Sequence, residues 1–391
     1  MREPSDGSRP AQAPLKVLLV DDSPISVAAL GRSLQGDARF ALAGTATNGR
    51  EAVRFTQRLR PDLISMDLRM PVMGGLESIE EIMATAPTPI VVLTGADRDE
   101  ATRASFEAVR RGALELLPKP KGEQEHAALL TRFAMLARVP VIGRRRPGGS
   151  TAPPTREASG AAEVTSPVTA PPLRIVGASP ALSPGRARRS ERLQADAGGL
   201  LAIAASTGGP AAIEILLNAL GADYPRPIVI VQHISPGFGP ALAGWLDRTT
   251  RSTVRVAVNG APLRPGEVLI GPSGAHLVVR SGRVLLDRAA AEIGGHRPSA
   301  DRLFASAAEA YGAAASGVIL TGMGRDGVAG LAELRAAGGW TCAQEPTECV
   351  VAGMPGAAIA EGAAVATMTL AEMARALRRE VRAVGKDGRA P

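Results

Sequence analysis

The chain has 391 residues, 45% hydrophobic and 21% charged, which is enough for two globular domains that each bury a core. Two cysteines are too few for a disulfide framework or a zinc cluster, no apolar run is long enough to span a bilayer, and the opening MREPSDGSRPAQAP lacks a signal peptide's apolar centre. A cytoplasmic setting follows, and the net charge of +7 leaves nucleic acid as a partner to be weighed.

Over residues 15–138, KVLLV, FALAGT, DLISM, PIVVLT and ALELL predict five strands, and NGREAVRFTQRL and EATRASFEAVRRG predict amphipathic helices between them. This rhythm predicts a doubly wound, five-stranded parallel sheet whose ligand crevice lies at the carboxyl ends of the strands. Asp21 and Asp22 follow the first strand, Asp67 the third and Lys119 the fifth, and Thr94 closes the fourth. An isolated Asp after a strand reads as a turn or N-cap residue. Three carboxylates that share a crevice repel one another, and a divalent cation offsets that cost. With Lys and Thr beside them, the set suits capture of a phosphoryl group by an aspartate, assisted by Mg²⁺.

KVLLVDD, DLISMDLRMPVMGG, the Thr of PIVVLT and the Lys-Pro of LLPKP resemble a response-regulator receiver domain. The resemblance implies Asp67 as phospho-acceptor, Asp21, Asp22, Asp67 and the Arg69 carbonyl around Mg²⁺, and Thr94 with Lys119 as a switch pair. It also implies a sensor histidine kinase as phosphodonor. Gly74 departs from the Asp found in many receivers, at a position that serves the turn rather than the chemistry.

Residues 139–197 contain nine arginines and no lysine against four acidic residues, among nine prolines and six glycines. Such a composition predicts a disordered linker. The basic excess therefore belongs mainly to the linker, and with neither a recognition helix nor an aromatic platform beside it, nucleic acid is not an expected partner.

Residues 198–385 resume the β/α pattern. LLAIAAS, IVIVQH, VRVAVNG, EVLIG, GVIL and WTCAQ predict strands of a mostly parallel α/β hydrolytic domain, and HLVVRSGRVLLD predicts a small antiparallel hairpin turning at Ser-Gly. A helix is expected over Ala211–Leu220, directly after Ser206-Thr207-Gly208-Gly209. Glycines at such a turn serve either a bound phosphate or a nucleophile beside an oxyanion site. Neither a P-loop lysine nor a G-x-G-x-x-G fingerprint is present. The nucleophile reading needs a base, and only four histidines exist. His126 reads as a solvated helix-start residue, His276 opens the hairpin and His296 lies in a Gly-rich loop. His233 alone directly follows a fully apolar strand. Asp326, in GVILTGMGRDG, completes a Ser206-His233-Asp326 triad, with backbone amides at Thr207, Gly208 or Gly322-Met323-Gly324 available to an oxyanion. The order Ser…His…Asp and the AASTG elbow exclude the α/β-hydrolase pattern.

AASTGGP, IVIVQHISPGF, PSADRLF, GVILTGMGRDG and CVVAGMP together resemble the catalytic domain of the bacterial chemotaxis protein-glutamate methylesterases. The resemblance implies demethylation of glutamate γ-methyl esters on cytoplasmic helices of chemoreceptors, deamidation of receptor glutamines, and regulation by the receiver, with no cofactor for the ester reaction and no membrane insertion. It also implies Thr207 and Met323 as oxyanion or substrate neighbours. Ala204 in place of a usual glycine, Arg325 beside the acid, and EPTEC ahead of Val350 are its departures. Cys349, in the last of these, reads as a buried small hydrophobe. The alternative reading is a phosphorylation-dependent adaptor without catalysis.

Overall fold

A computed structural model describes residues 13–95, 106–139, 141 and 199–387. The predicted linker, apart from its first residues, and the first half of the helix expected over 100–112 lie outside the described residues.

In the N-terminal half, β1 (Leu15–Val20), β2 (Phe40–Ala46), β3 (Leu63–Met66), β4 (Ile90–Thr94) and β5 (Glu115–Pro118) form one sheet in the order β2-β1-β3-β4-β5. Every pairing is parallel. Helices α1 (Pro24–Gln35), α2 (Gly49–Leu59), α3 (Gly75–Thr85), the helical residues 106–111 (α4) and α5 (Glu123–Leu136) alternate with the strands. Because helices cover both faces, β3 and β4 are buried at every residue. Helix α2 shows how the sequence sets the local fold: Asn48 caps the Glu51 amide at 3.1 Å, and the Glu51 carboxylate returns to the Thr47 amide at 2.9 Å. Its Ala52, Val53 and Thr56 face the core, while Arg50, Arg54 and Arg58 stay exposed.

In the C-terminal half, β6 (Leu200–Ala205), α6 (Gly209–Leu220), β7 (Ile228–Gln232), α7 (Gly239–Thr249), β8 (Thr253–Val256) and β9 (Glu267–Ile270) are followed by a hairpin, β10 (His276–Arg280) and β11 (Arg283–Asp287). Then come α8 (Ala300–Tyr311), β12 (Ala315–Ile319), α9 (Val328–Ala336), β13 (Trp340–Gln344), α10 (Gly353–Ala360), β14 (Ala366–Met368) and α11 (Leu370–Asp387). Seven strands form a wholly parallel sheet in the order β14-β13-β12-β6-β7-β9-β8, and the hairpin stands apart as its own two-stranded sheet. Its turn places Ser281 and Gly282 at φ 49° and 70°, the two left-handed residues of a type I′ turn.

Sheet order positions the site. Strand β6 has β7 on one side and β12 on the other, so the chain reverses direction across the sheet at β6, and a crevice opens at the carboxyl ends of these three strands. Among the described residues, no helix is long and apolar enough to cross a membrane.

Candidate active site

Ser206 follows β6, His233 follows β7, and Asp326 lies in the loop after β12. The Ser206 amide donates to the Thr321 carbonyl at 3.0 Å, tying the β6 end to the β12 end. From β7, the Gln232 side-chain amide donates to the carbonyls of Ser206 (2.7 Å) and His233 (2.8 Å). The Thr321 hydroxyl donates to the Thr207 carbonyl at 2.9 Å and accepts from the Val351 amide at 3.0 Å. Gly208 has φ +78°, and a Cβ there would sit 2.6 Å from the Val350 Cβ, so glycine is required. Helix α6 then starts at Gly209, two residues before the expected Ala211, and the Gly209 amide donates to the Ser206 carbonyl at 2.8 Å.

His233 Nε2 lies 2.7 Å from Asp326 Oδ2. Nδ1 is buried and has no hydrogen-bond partner among the described residues. The neutral tautomer this selects carries its proton on Nε2 and leaves the Nδ1 lone pair free. Ser206 and His233 line the same small cavity with Thr207, Gly208 and Gln232.

Asp326 is held from four directions. Oδ1 accepts from the Ser299 hydroxyl at 2.7 Å and the Asp301 amide at 3.2 Å, and Oδ2 accepts from the Ala300 amide at 2.7 Å as well as from His233. The carboxylate thus caps the N-terminus of α8 from another element. Burial by itself raises its pKa, but the hydrogen bonds from His233, Ser299 and Ala300 outweigh that and hold it at about 2. Ser299 is fixed in turn by His276, whose Nδ1 accepts the Ser299 amide at 3.2 Å while Nε2 donates to the Ala291 carbonyl at 2.8 Å. Sequence spacing does not single out Gln232, Ser299 or His276 as site residues. Two of them sit inside the quoted motifs IVIVQH and PSADRLF, but nothing in their spacing reveals the contacts.

The flanking residues divide. Thr207 and Met323 meet Arg132 of α5: its guanidinium donates to the Thr207 hydroxyl at 3.0 Å and lies 3.7 Å from the Met323 sulfur, while Glu115 of β5 holds it through contacts of 2.7 and 2.6 Å. Arg325 turns outward to Glu361 at 2.6 Å. Cys349 is only partly buried, contrary to expectation. Its thiol meets the Glu345 carbonyl at 3.4 Å and is pushed up to about 12 by burial and then by the neighbouring Glu345 and Glu348, so it is a poor nucleophile.

In the N-terminal half, ligand oxygens of Asp21, Asp22 and Asp67 lie within 4.8 Å of one another. Lys119 Nζ bridges Asp67 Oδ2 (2.5 Å) and Asp21 Oδ2 (2.7 Å). Burial opposes its charge, but the two carboxylates prevail and raise its pKa. The Arg69 amide donates to Asp67 Oδ1 at 3.2 Å, and the Thr94 hydroxyl meets the Gly95 carbonyl at 3.4 Å. Three hard oxygen donors this close fit a small divalent cation.

The fold defines the class: a two-domain α/β protein whose N-terminal half has the five-stranded parallel sheet and acidic crevice of a response-regulator receiver. Comparison with known proteins gives the family. The family model described as CheB methylesterase matches residues 201–377, and that for the response regulator receiver domain matches residues 17–131. A protein-glutamate methylesterase/protein-glutamine glutaminase 3 of Anaeromyxobacter dehalogenans is 40% identical over 90% of this chain and 95% of its own length. A protein-glutamate methylesterase/protein-glutamine glutaminase 4 of Myxococcus xanthus is 40% identical over 95% of this chain and 98% of its own length. The crystal structure of the Thermotoga maritima CheB methylesterase catalytic domain covers 46% of this chain and 97% of that one, at 38% identity and a TM-score of 0.45. The chain belongs to the receiver-linked CheB methylesterase family and is an enzyme of the protein-glutamate methylesterase/protein-glutamine glutaminase type.

Proposed function

We propose that the protein hydrolyses glutamate γ-methyl esters on methylated chemoreceptors, and deamidates receptor glutamines, through Ser206, His233 and Asp326, under control of phosphorylation at Asp67. The observation that carries this reading is the pairing of His233 Nε2 with Asp326 while the buried Nδ1 has no partner among the described residues, in a histidine that lines one cavity with Ser206. Nδ1 takes the seryl proton as Oγ attacks the ester carbonyl, and Asp326 steadies the imidazolium. The amides of Thr207 and Gly208, at the start of α6, together with Met323, receive the oxyanion. Methanol leaves with the proton from His233. Water, deprotonated by the same nitrogen, then releases glutamate from the acyl-serine; a glutamine substrate loses ammonia in the first step.

The interdomain contacts support control by the receiver. Arg132 covers Thr207 and Met323, and the cavity at Ser206 retains only about 20 Å³ of free space, room for a single water and not for a glutamyl side chain. Asp21, Asp22, Asp67 and the Arg69 carbonyl would hold Mg²⁺, which offsets the charge of an incoming phosphoryl group. A sensor kinase is the donor. Lys119 and Thr94 then turn to the new phosphate. Lys119 directly follows β5, and β5 carries Glu115, the anchor of Arg132, so the two ends of one strand couple acceptor to plug.

Methanol release from methylated receptor tests both parts. It rises when the full chain is given Mg²⁺ and a small phosphodonor, and is lost in Ser206→Ala. Release that persists in Ser206→Ala removes the triad. Equal rates with and without the donor, once Asp67 is shown to be phosphorylated, remove the regulation.

A further inference from the structure

One histidine at the site takes no part in the hydrogen-bonded chain from His276 to His233. His296 ends a tight turn in which Gly294 and Gly295 are both left-handed, at φ 58° and 80°, closed by reciprocal backbone bonds between Ile293 and His296 of 3.1 and 2.9 Å. Two successive left-handed residues favour glycine. The turn presents the His296 ring to the face of His233, with centroids 4.0 Å apart and planes within 11°. Three residues further on, Ser299 grips Asp326, so this one segment both faces the imidazole and holds its carboxylate.

A ring held by a single hydrogen bond is fixed at one point and still free to swing about it. His233 is in that position, since Nε2 meets Asp326 and Nδ1 meets nothing among the described residues. A parallel ring on its face supplies the missing constraint. A neutral ring there also favours the imidazolium that forms during reaction, because the π face attracts a cation; this attraction is stronger in the transition state than in the ground state. A charged ring would do the reverse.

On the reading of Ser206, His233 and Asp326 as the reacting set, we propose that His296 is a positioning residue, whose neutral ring holds the His233 imidazole with Nε2 on Asp326 and Nδ1 free for the seryl proton. The surroundings keep it neutral. Burial lowers its pKa first, then the charge of His233, with Arg132 of α5 acting the same way, while Asp326 and Glu292 oppose them. A protonated His296 ring would set its charge against the imidazolium that forms on His233 during reaction.

The test measures kcat and KM for methanol release by the full chain with Mg²⁺ and phosphodonor from pH 5 to 9, together with ¹⁵N-imidazole spectra of the chain without substrate. His296→Ala lowers kcat about 100-fold with KM unchanged, the cost of a misaligned reacting group, and its His233 signals lose the single Nε2–H tautomer. His296→Phe keeps the ring and retains most of the kcat at pH 8, and it lacks the added loss that a charged ring imposes on the wild type toward pH 5. A His296→Ala enzyme with wild-type kcat and the same acid limb overturns the proposal. A rise in KM alone, or a His296→Phe enzyme as slow as His296→Ala, does so too. The spectra read the stack without hydrolysis, so an unchanged His233 tautomer in His296→Ala counts against His296, whereas methanol release that persists in Ser206→Ala counts against the triad.

Discussion

Asp326 concentrates the physics of the site in one side chain. It is 4% exposed at the side chain, yet it ionises at about 2 instead of near 3.8, because His233, Ser299 and the first amides of α8 all favour the charged form. Its folded pKa lies below its unfolded one, so its contribution to stability is fully present above about pH 4 and is lost as pH falls toward 2. The contribution is on the order of 2 kcal/mol. Asp326→Asn removes it and presents an amide that favours the wrong His233 tautomer. On the proposed role of Asp326, the variant is expected to lose about 10⁴-fold in kcat. Its stability, measured by denaturant unfolding, should then stay nearly flat between pH 4 and 2 with respect to this group, where the wild type declines; parallel curves for the two proteins would contradict the assignment.

At the scale of elements, the β6–α6 turn decides how the serine is presented. Gly208→Ala combines a positive φ with a Cβ 2.6 Å from Val350, and is expected to destabilise the fold by about 2 kcal/mol. Gly356→Ala in α10 meets nothing within 4 Å, and should be neutral or stabilising by up to about 1 kcal/mol. Melting temperatures of the two variants separate the cases, and equal effects would mean that the turn is not tight. These elements also mark what was legible in the sequence. The five N-terminal strands and β6, β7, β12 and β13 are dense apolar runs that could be read directly, as could the Ser281-Gly282 turn. Strand β14 has three residues at a sheet edge, and α10 is built from Gly, Ala, Met, Pro and Ile without a polar face, so neither gives a periodic signal. Helix α6 starts early because Gly208 turns left-handed, which spacing does not show. The two nitrogens of His233 have different surroundings only in three dimensions.

Across the whole molecule, the receiver sits against the mouth of the catalytic domain through a few specific contacts. Phe106 stacks on Trp245 of α7 at 5.6 Å, Arg110 meets Glu214 of α6 at 3.4 Å, and Arg132 reaches Thr207. The last joins residues 75 apart in the chain, across the predicted linker, and no sequence pattern announces it. A hydrogen bond from a charged donor is worth about 1.5–3 kcal/mol. Arg132→Ala should therefore raise methanol release in the absence of phosphodonor roughly 10-fold or more; an unchanged basal rate would leave Arg132 as a bystander. Trp245 is 3% exposed and is one of two tryptophans in the chain, so the proposed release of the receiver predicts a red shift of its emission on addition of Mg²⁺ and phosphodonor.

The proposed chemistry requires that His233 activate Ser206 within the cavity that residues of both domains line. Covalent labelling of the full chain by a fluorophosphonate, with the adduct located by peptide mass spectrometry, measures this directly. The predicted result is a single adduct on Ser206, formed faster with Mg²⁺ and phosphodonor and lost in His233→Gln. An adduct on another residue, or labelling of Ser206 at the same rate in His233→Gln, would contradict it.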